Sequence, residues 1–193
     1  MTTFALLVAA VVGGYLTGSV SPAVFVARTR KVDVRSSGSG NPGATNVGRL
    51  LGVRWGVLVA LLDVAKGAVP AWGFSLVDER LGLLAGAAAV VGHVTSPFLR
   101  GRGGKGVATA FGAVLGVAPW WALVLLVVFV VVVAATRWVA LGSMSTAVAL
   151  VAVTFLTDTD VFHRTWAVFL AMIILARHRR NVVARWRTRR VLR

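Results

Sequence analysis

The chain has 193 residues, 58% of them hydrophobic, a formal net charge of +15 and no cysteine; its mean hydropathy is +0.83. So apolar a composition excludes a soluble globular domain, and the missing thiols exclude disulfides, Cys-bound metals and cysteine nucleophiles. In a soluble protein this basic balance would point to nucleic acid. Here the cations fall in short segments between apolar runs, where membrane orientation accounts for them, so no nucleic-acid partner is expected.

The first apolar run, residues 4–27, has no basic segment before it and is longer than a signal-peptide core. It reads as a retained membrane helix with Pro22 as a kink near its end. Residues 28–54 read as a polar loop carrying Arg28, Arg30, Lys31, Arg35, Arg49 and Arg54. A second helix is expected over 55–77, a short acidic connection over Asp78, Glu79 and Arg80, and a third helix over 81–98. The apolar stretch 107–136 is either one long helix or two short ones that turn near Pro119. Residues 141–157 lead to Asp158 and Asp160, 166–176 form a last short span, and a basic tail from Arg177 can lie on anionic headgroups.

Charge chooses between the two readings of 107–136. Two helices put nearly all Lys and Arg on one side and most acids on the other, whereas one long helix sends the basic tail to the acidic side. The expectation is therefore an all-α integral membrane protein with seven transmembrane helices, N-terminus outside and C-terminus cytoplasmic. Residues 1–193 read as a single membrane-embedded domain without internal repeats.

The densest chemistry lies in Arg100-Gly101-Arg102-Gly103-Gly104-Lys105-Gly106, followed by Val107-Ala108-Thr109. Bare glycine N–H groups and fixed positive charge suit an anion, and a helix opening at Val107 would aim its N-terminus at the same spot. A basic loop obeying the positive-inside rule is the plainer alternative. A nucleotide P-loop is excluded, because Leu99 stands where its first glycine should be and Gly106 where its Ser or Thr should be. No nucleotide and no metal ion is expected.

Ser37-Gly38-Ser39-Gly40-Asn41-Pro42-Gly43-Ala44-Thr45-Asn46-Val47-Gly48-Arg49 is either a flexible linker or a second anion nest, in which Arg49 could grip phosphate through two parallel bonds. Asp63 and Lys66 share a helix face, as a neutralised pair or as catalytic groups. His93 is a packing residue or a base. Ser143 is a helix cap or a phosphate donor. His178 and Asn181, three apart, are a solvated face or site residues. No Gly-x-Ser-x-Gly elbow supports a serine hydrolase.

Taken together, the 38–49 motif, Leu62-Asp63-Val64-Ala65-Lys66-Gly67, and Gly92-His93 followed by Gly103-Gly104-Lys105-Gly106 resemble the bacterial acyl-phosphate:glycerol-3-phosphate acyltransferase family (PlsY). The likeness extends over essentially the whole chain, including the Ser143 segment and Arg177-His178-Arg179-Arg180-Asn181. The run Thr95-Ser96-Pro97 is shifted from the family's usual His-x-x-Pro. The resemblance implies transfer of an acyl group from acyl-phosphate to the sn-1 hydroxyl of glycerol 3-phosphate, without cofactor, giving lysophosphatidic acid and phosphate. It implies catalytic roles for Lys105, Arg49, His178, Asn181 and Ser143. Substrate phosphate would be bound by Ser39, Gly40, Asn41, Thr45, Asn46, Gly103, Gly104 and Gly106, with Asp63, Lys66 and His93 in support. It further implies a multi-pass protein of the bacterial inner membrane with its active site toward the cytoplasm, in contact with membrane lipid and with the enzyme that makes the acyl-phosphate. A carrier of phosphorylated metabolites would instead need anion-binding groups open to both sides, and a scaffold without chemistry would not need motifs so dense in Gly, Asn, Arg and Lys.

Overall fold

A computed structural model describes residues 3–157 and 159–191, with side chains to 187; Asp158, Arg193 and the side chains of Arg189 and Arg190 lie outside the described residues. The regular elements among the described residues are all helices. In chain order they form α1 (Thr3–Ser19), α2 (Pro22–Thr29), α3 (Ala44–Leu51), α4 (Val53–Ser75), α5 (Glu79–Thr95), α6 (Val107–Val117), α7 (Pro119–Thr136), α8 (Val139–Leu156) and α9 (Val161–Val191). Five segments are long and apolar enough to cross a membrane: α1 with α2, α4, α5 with the turn after it, α7, and α8; α6, at 11 residues, is shorter.

Local chemistry sets the boundaries. Pro22 does not kink a continuous helix; it opens a new one, with Ser21 as its N-cap accepting from the Val24 N–H, because a proline needs no N–H at the first helical position. The acidic connection is also a cap, since Asp78 accepts from the N–H groups of Arg80 and Leu81. The stretch 107–136 divides as charge requires: α6 ends at Val117 and Pro119 starts α7. The polar loop expected over 28–54 is shorter than that, because 44–51 is helical and Gly52, at φ +97°, turns directly into α4. The basic tail continues α9 without a break to Val191.

The fold divides into two compact units, one reaching Ala122 and the other starting at Leu123. In the first, α1 lies on α5, α4 on α6, and α4 also contacts α5. Their seams are lined by small residues, as expected where helices gain little from burying apolar surface against lipid-like surroundings. A Cβ at Gly14 or Gly18 of α1 would run into the Ala85 or Ala89 carbonyl of α5, and one at Gly112 of α6 into the Val64 carbonyl of α4. A separate apolar cluster of Ala23, Val26, Ala27, Val34, Val47 and Val59 seats α2 and α3 beside the foot of α4. There the Arg30 guanidinium stacks 4.1 Å from the Trp55 ring centre, with Arg54 at 5.3 Å.

In the second unit α8 and α9 are in contact, burying Ala147, Leu150 and Val153 on one and Ala167, Leu170 and Ile174 on the other. Gly142 of α8 faces Val133 and Phe129 of α7. The outer side of α7 exposes Leu123, Val124, Leu126, Val127, Val130 and Val131, an apolar face that hydrocarbon can solvate.

Replacing Gly112 by Val is expected to lower the thermal midpoint in detergent sharply, because overpacking against backbone costs about 1–3 kcal/mol or more. Gly73→Ala, where nothing lies within 4 Å, is expected to leave the midpoint unchanged or raise it slightly. Equal midpoints for Gly112→Val and the parent would contradict the seam.

Candidate active site

The first motif is organised by Asn46. Its side chain is buried, its Oδ1 accepts from the Ser39 N–H at 2.9 Å, and its Nδ2 donates to the Val34 and Ser37 carbonyls, each at 3.0 Å. The amide thus ties residues 34–39 to the start of α3. Gly38 and Gly40 have φ of +60° and +67°, and a Cβ on Gly38 would meet the Asn46 oxygen. Both positions therefore favour glycine. Upstream, the Arg35 N–H donates to Asp33 Oδ1 at 2.9 Å, and this bond holds the exposed Asp33 carboxyl below its ordinary range. The pegged loop leaves Ser39 exposed and Asn41 half-buried, while Thr45 and Arg49, one helical turn apart on α3, are both exposed.

The glycine-rich stretch differs from the open nest expected of it. The Gly101 N–H donates to the Ser96 carbonyl, Arg102 to Leu99, Gly103 to Val94 at 3.0 Å and Gly104 to His93 at 3.1 Å. The cause is the end of α5: its last carbonyls have no intrahelical donor, and the loop returns to supply one. Glycine is required there by closeness. A Cβ at Gly103 would strike the His93 carbonyl, and one at Gly104 the His93 Nε2. Gly103 and Gly104 thus shape the loop, while their N–H groups are engaged with α5. Beyond them Lys105 is half-buried, and Gly106, at φ +84°, caps α6 without a side-chain bond. The helix opens at Val107, as the sequence predicts.

Behind this loop is a buried cluster. Lys66 Nζ lies 2.9 Å from Asp63 Oδ1 and donates to the Val20 carbonyl at 2.7 Å. His93 Nδ1 approaches the same carboxylate oxygen at 3.5 Å. The pair reading of Asp63 and Lys66 is therefore realised, with a third member that sequence spacing did not indicate. The sequence reading also missed Thr109, whose buried hydroxyl has no hydrogen-bond partner among the described residues, and Ser96, which donates to the Ser19 carbonyl at 2.6 Å. Neither has a local signal, since both depend on neighbours distant in the chain or on the turn that buries them.

In the second unit, Ser143 is buried and donates to the Val139 carbonyl one turn back at 2.9 Å. His178 is not on a solvated face: it is 1% exposed. Its Nδ1 lies 2.8 Å from the Ile174 carbonyl. A carbonyl only accepts, so Nδ1 carries the hydrogen, and in the neutral ring Nε2 is the nitrogen able to take a proton. Asn181, three residues on, is half-buried.

A family model described as glycerol-3-phosphate acyltransferase matches residues 8–188. Among curated relatives, the glycerol-3-phosphate acyltransferase of Geotalea daltonii is 38% identical over 89% of this chain and 90% of its own. That of Shewanella woodyi is 42% identical over 94% and 91%, and glycerol-3-phosphate acyltransferase 1 of Deinococcus radiodurans 40% over 94% and 92%. Two crystal structures of PlsY (YgiH), an integral membrane glycerol 3-phosphate acyltransferase, are similar in fold. The glycerol 3-phosphate form gives a TM-score of 0.91 at 35% identity, covering 95% of this chain and 93% of that one. The lysophosphatidic acid form gives 0.89 at 34%, with the same coverage.

Asn46→Ala is expected to leave three polar groups of the 34–39 loop without their partner, at about 1–3 kcal/mol. Faster tryptic cleavage after Arg35, together with a lower thermal midpoint, would report the freed loop; an unchanged cleavage rate would show that the amide does not hold it.

Proposed function

The chain belongs to the glycerol-3-phosphate acyltransferase family, and from that premise we propose that it moves a fatty acyl group from acyl-phosphate to the sn-1 hydroxyl of glycerol 3-phosphate, yielding lysophosphatidic acid and inorganic phosphate. The observation that carries this reading is the likeness, over nearly the whole chain, to a protein solved with glycerol 3-phosphate. Two substrates that each bear a phosphate suit a chain that sets Arg49 on an exposed helix face and Lys105 at the mouth of α6. The first-turn N–H groups of α6 add fixed dipoles of the same sign.

In this mechanism the sn-1 oxygen attacks the acyl carbonyl, the bond from the acyl carbon to the phosphate oxygen breaks, and phosphate departs with the electron pair. Phosphate is already a good leaving group, so the protein's main task is to hold both anions and stabilise the charge that develops. The hydroxyl proton passes to a substrate phosphate oxygen or to His178 Nε2. Exposed Ser39 and Thr45 and half-buried Asn41 offer hydrogen bonds to phosphate beside Arg49, with Gly40 and Gly106 at the positive φ that the two turns require. The roles of Ser143, His178 and Asn181 rest on the sequence resemblance alone.

The reading also takes the chain as one membrane-embedded acyltransferase of the bacterial inner membrane. It crosses seven times, counting α6 and the apolar half of α9, with the N-terminus outside and the motifs and basic tail toward the cytoplasm. The distribution of Lys and Arg supports this orientation, and the enzyme that makes the acyl-phosphate would meet it on that side.

Purified protein given acyl-phosphate and glycerol 3-phosphate should release phosphate and lysophosphatidic acid in equal amounts, and should release none with acyl-CoA as donor. Lys105→Ala and Arg49→Ala should each lower kcat/KM by about 100-fold or more while the thermal midpoint holds. Ordinary turnover by Lys105→Ala would refute its role, and turnover with acyl-CoA would refute the donor.

A further inference from the structure

Asp63, Lys66 and His93 have no part in the proposed chemistry, yet they put three ionisable side chains inside the first unit, each no more than 8% exposed. Buried charge of this kind is costly unless each group meets a partner, and inside a membrane protein it usually serves a function.

We propose that these residues form a strut that sets the position of the Lys105 loop, with His93 as its positioning residue. The inference rests on the reading that Lys105 grips a substrate phosphate. The strut can be followed atom by atom. Lys66 Nζ is fixed to the chain just beyond α1 through the Val20 carbonyl at 2.7 Å and to Asp63 at 2.9 Å. Asp63 Oδ1 lies 3.5 Å from His93 Nδ1 across the seam with α5, a charge contact without a hydrogen bond. The opposite ring nitrogen, Nε2, occupies the space a Cβ on Gly104 would need. The same residue also holds the loop by its main chain, since the His93 carbonyl accepts the Gly104 N–H at 3.1 Å while its neighbour Val94 accepts that of Gly103. Gly104 is thus fixed both by the ring and by the backbone of one residue, and Lys105 comes next in the chain.

A role confined to packing would lower the amount of folded protein and leave the folded fraction with ordinary kinetics. A strut predicts a displaced loop in folded protein. Asp63→Asn, which keeps the volume and removes the charge, should speed amide exchange at Gly103 and Gly104 by about tenfold. It should raise the KM for glycerol 3-phosphate or acyl-phosphate by about 10- to 100-fold, with a smaller change in kcat. Gly104→Ala should do the same by pushing against the ring. His93→Ala removes that obstacle, so the double variant His93→Ala/Gly104→Ala should be no worse than the poorer single variant.

Folded Asp63→Asn protein with parental exchange at 103–104 and parental KM would overturn the strut, as would fully additive effects of His93→Ala and Gly104→Ala. If Asp63→Asn does not fold, the Gly104 and His93 pair decides alone. Faster exchange with unchanged KM, alongside ordinary turnover by Lys105→Ala, would uphold the strut while removing the phosphate role of Lys105.

Discussion

A backbone carbonyl at the end of a membrane-embedded helix must find a donor, and much of the first unit is built to meet that demand. Hydrocarbon offers no water to satisfy it, so each orphaned group costs several kcal/mol, roughly, until the protein itself supplies a partner. Just past α1 the donor is the Lys66 ammonium, at the Val20 carbonyl. Ser96 serves the neighbouring Ser19 carbonyl. At the end of α5 the donors are the N–H groups of Gly103 and Gly104. The glycine-rich stretch owes its path to this requirement.

The same logic explains the pairing of charges. An ammonium brought inside to serve a carbonyl needs a counter-charge, which Asp63 supplies one turn back on α4. The carboxylate then faces His93 across the seam with α5. In the polar loop, where no helix end is at hand, a single amide does comparable work: Asn46 serves two carbonyls and one N–H and leaves the exposed face of α3 to Arg49. In both motifs the residues that order the chain are thus distinct from Arg49 and Lys105, the groups proposed to hold phosphate.

How much of this could be read from the sequence follows from the range of each interaction. Hydropathy gives the helical class, because it acts within a few residues, and the sidedness of Lys and Arg selects the break near Pro119. Pro22 was read with the right residue and the wrong consequence, since only Ser21 as a cap tells a new helix from a kink. α3 was hidden in a Gly-, Asn- and Thr-rich segment, and its helix is held by apolar contacts of Val47 with Val34 and Val59. The unbroken course of α9 was obscured by a charge run that looks like solvated chain. His93 and Asp63 stand thirty positions apart, so no spacing rule joins them. The engagement of the Gly103 and Gly104 N–H groups was illegible for the same reason, being dictated by how α5 ends. The burial of His178 likewise follows from tertiary packing, which a stretch of arginines on either side conceals.

Where glycine lets one helix rest on the carbonyls of another, not even a methyl group fits at the point of contact. Along α1 and α5 the contact runs through Gly14 and Gly18, and along α4 and α6 through Gly67 and Gly112. At these points neither joint has room for a fatty tail. For the acyl donor proposed above, arriving sideways from the bilayer, the glycines that tighten the fold would also narrow the routes by which oil reaches the reacting carbon.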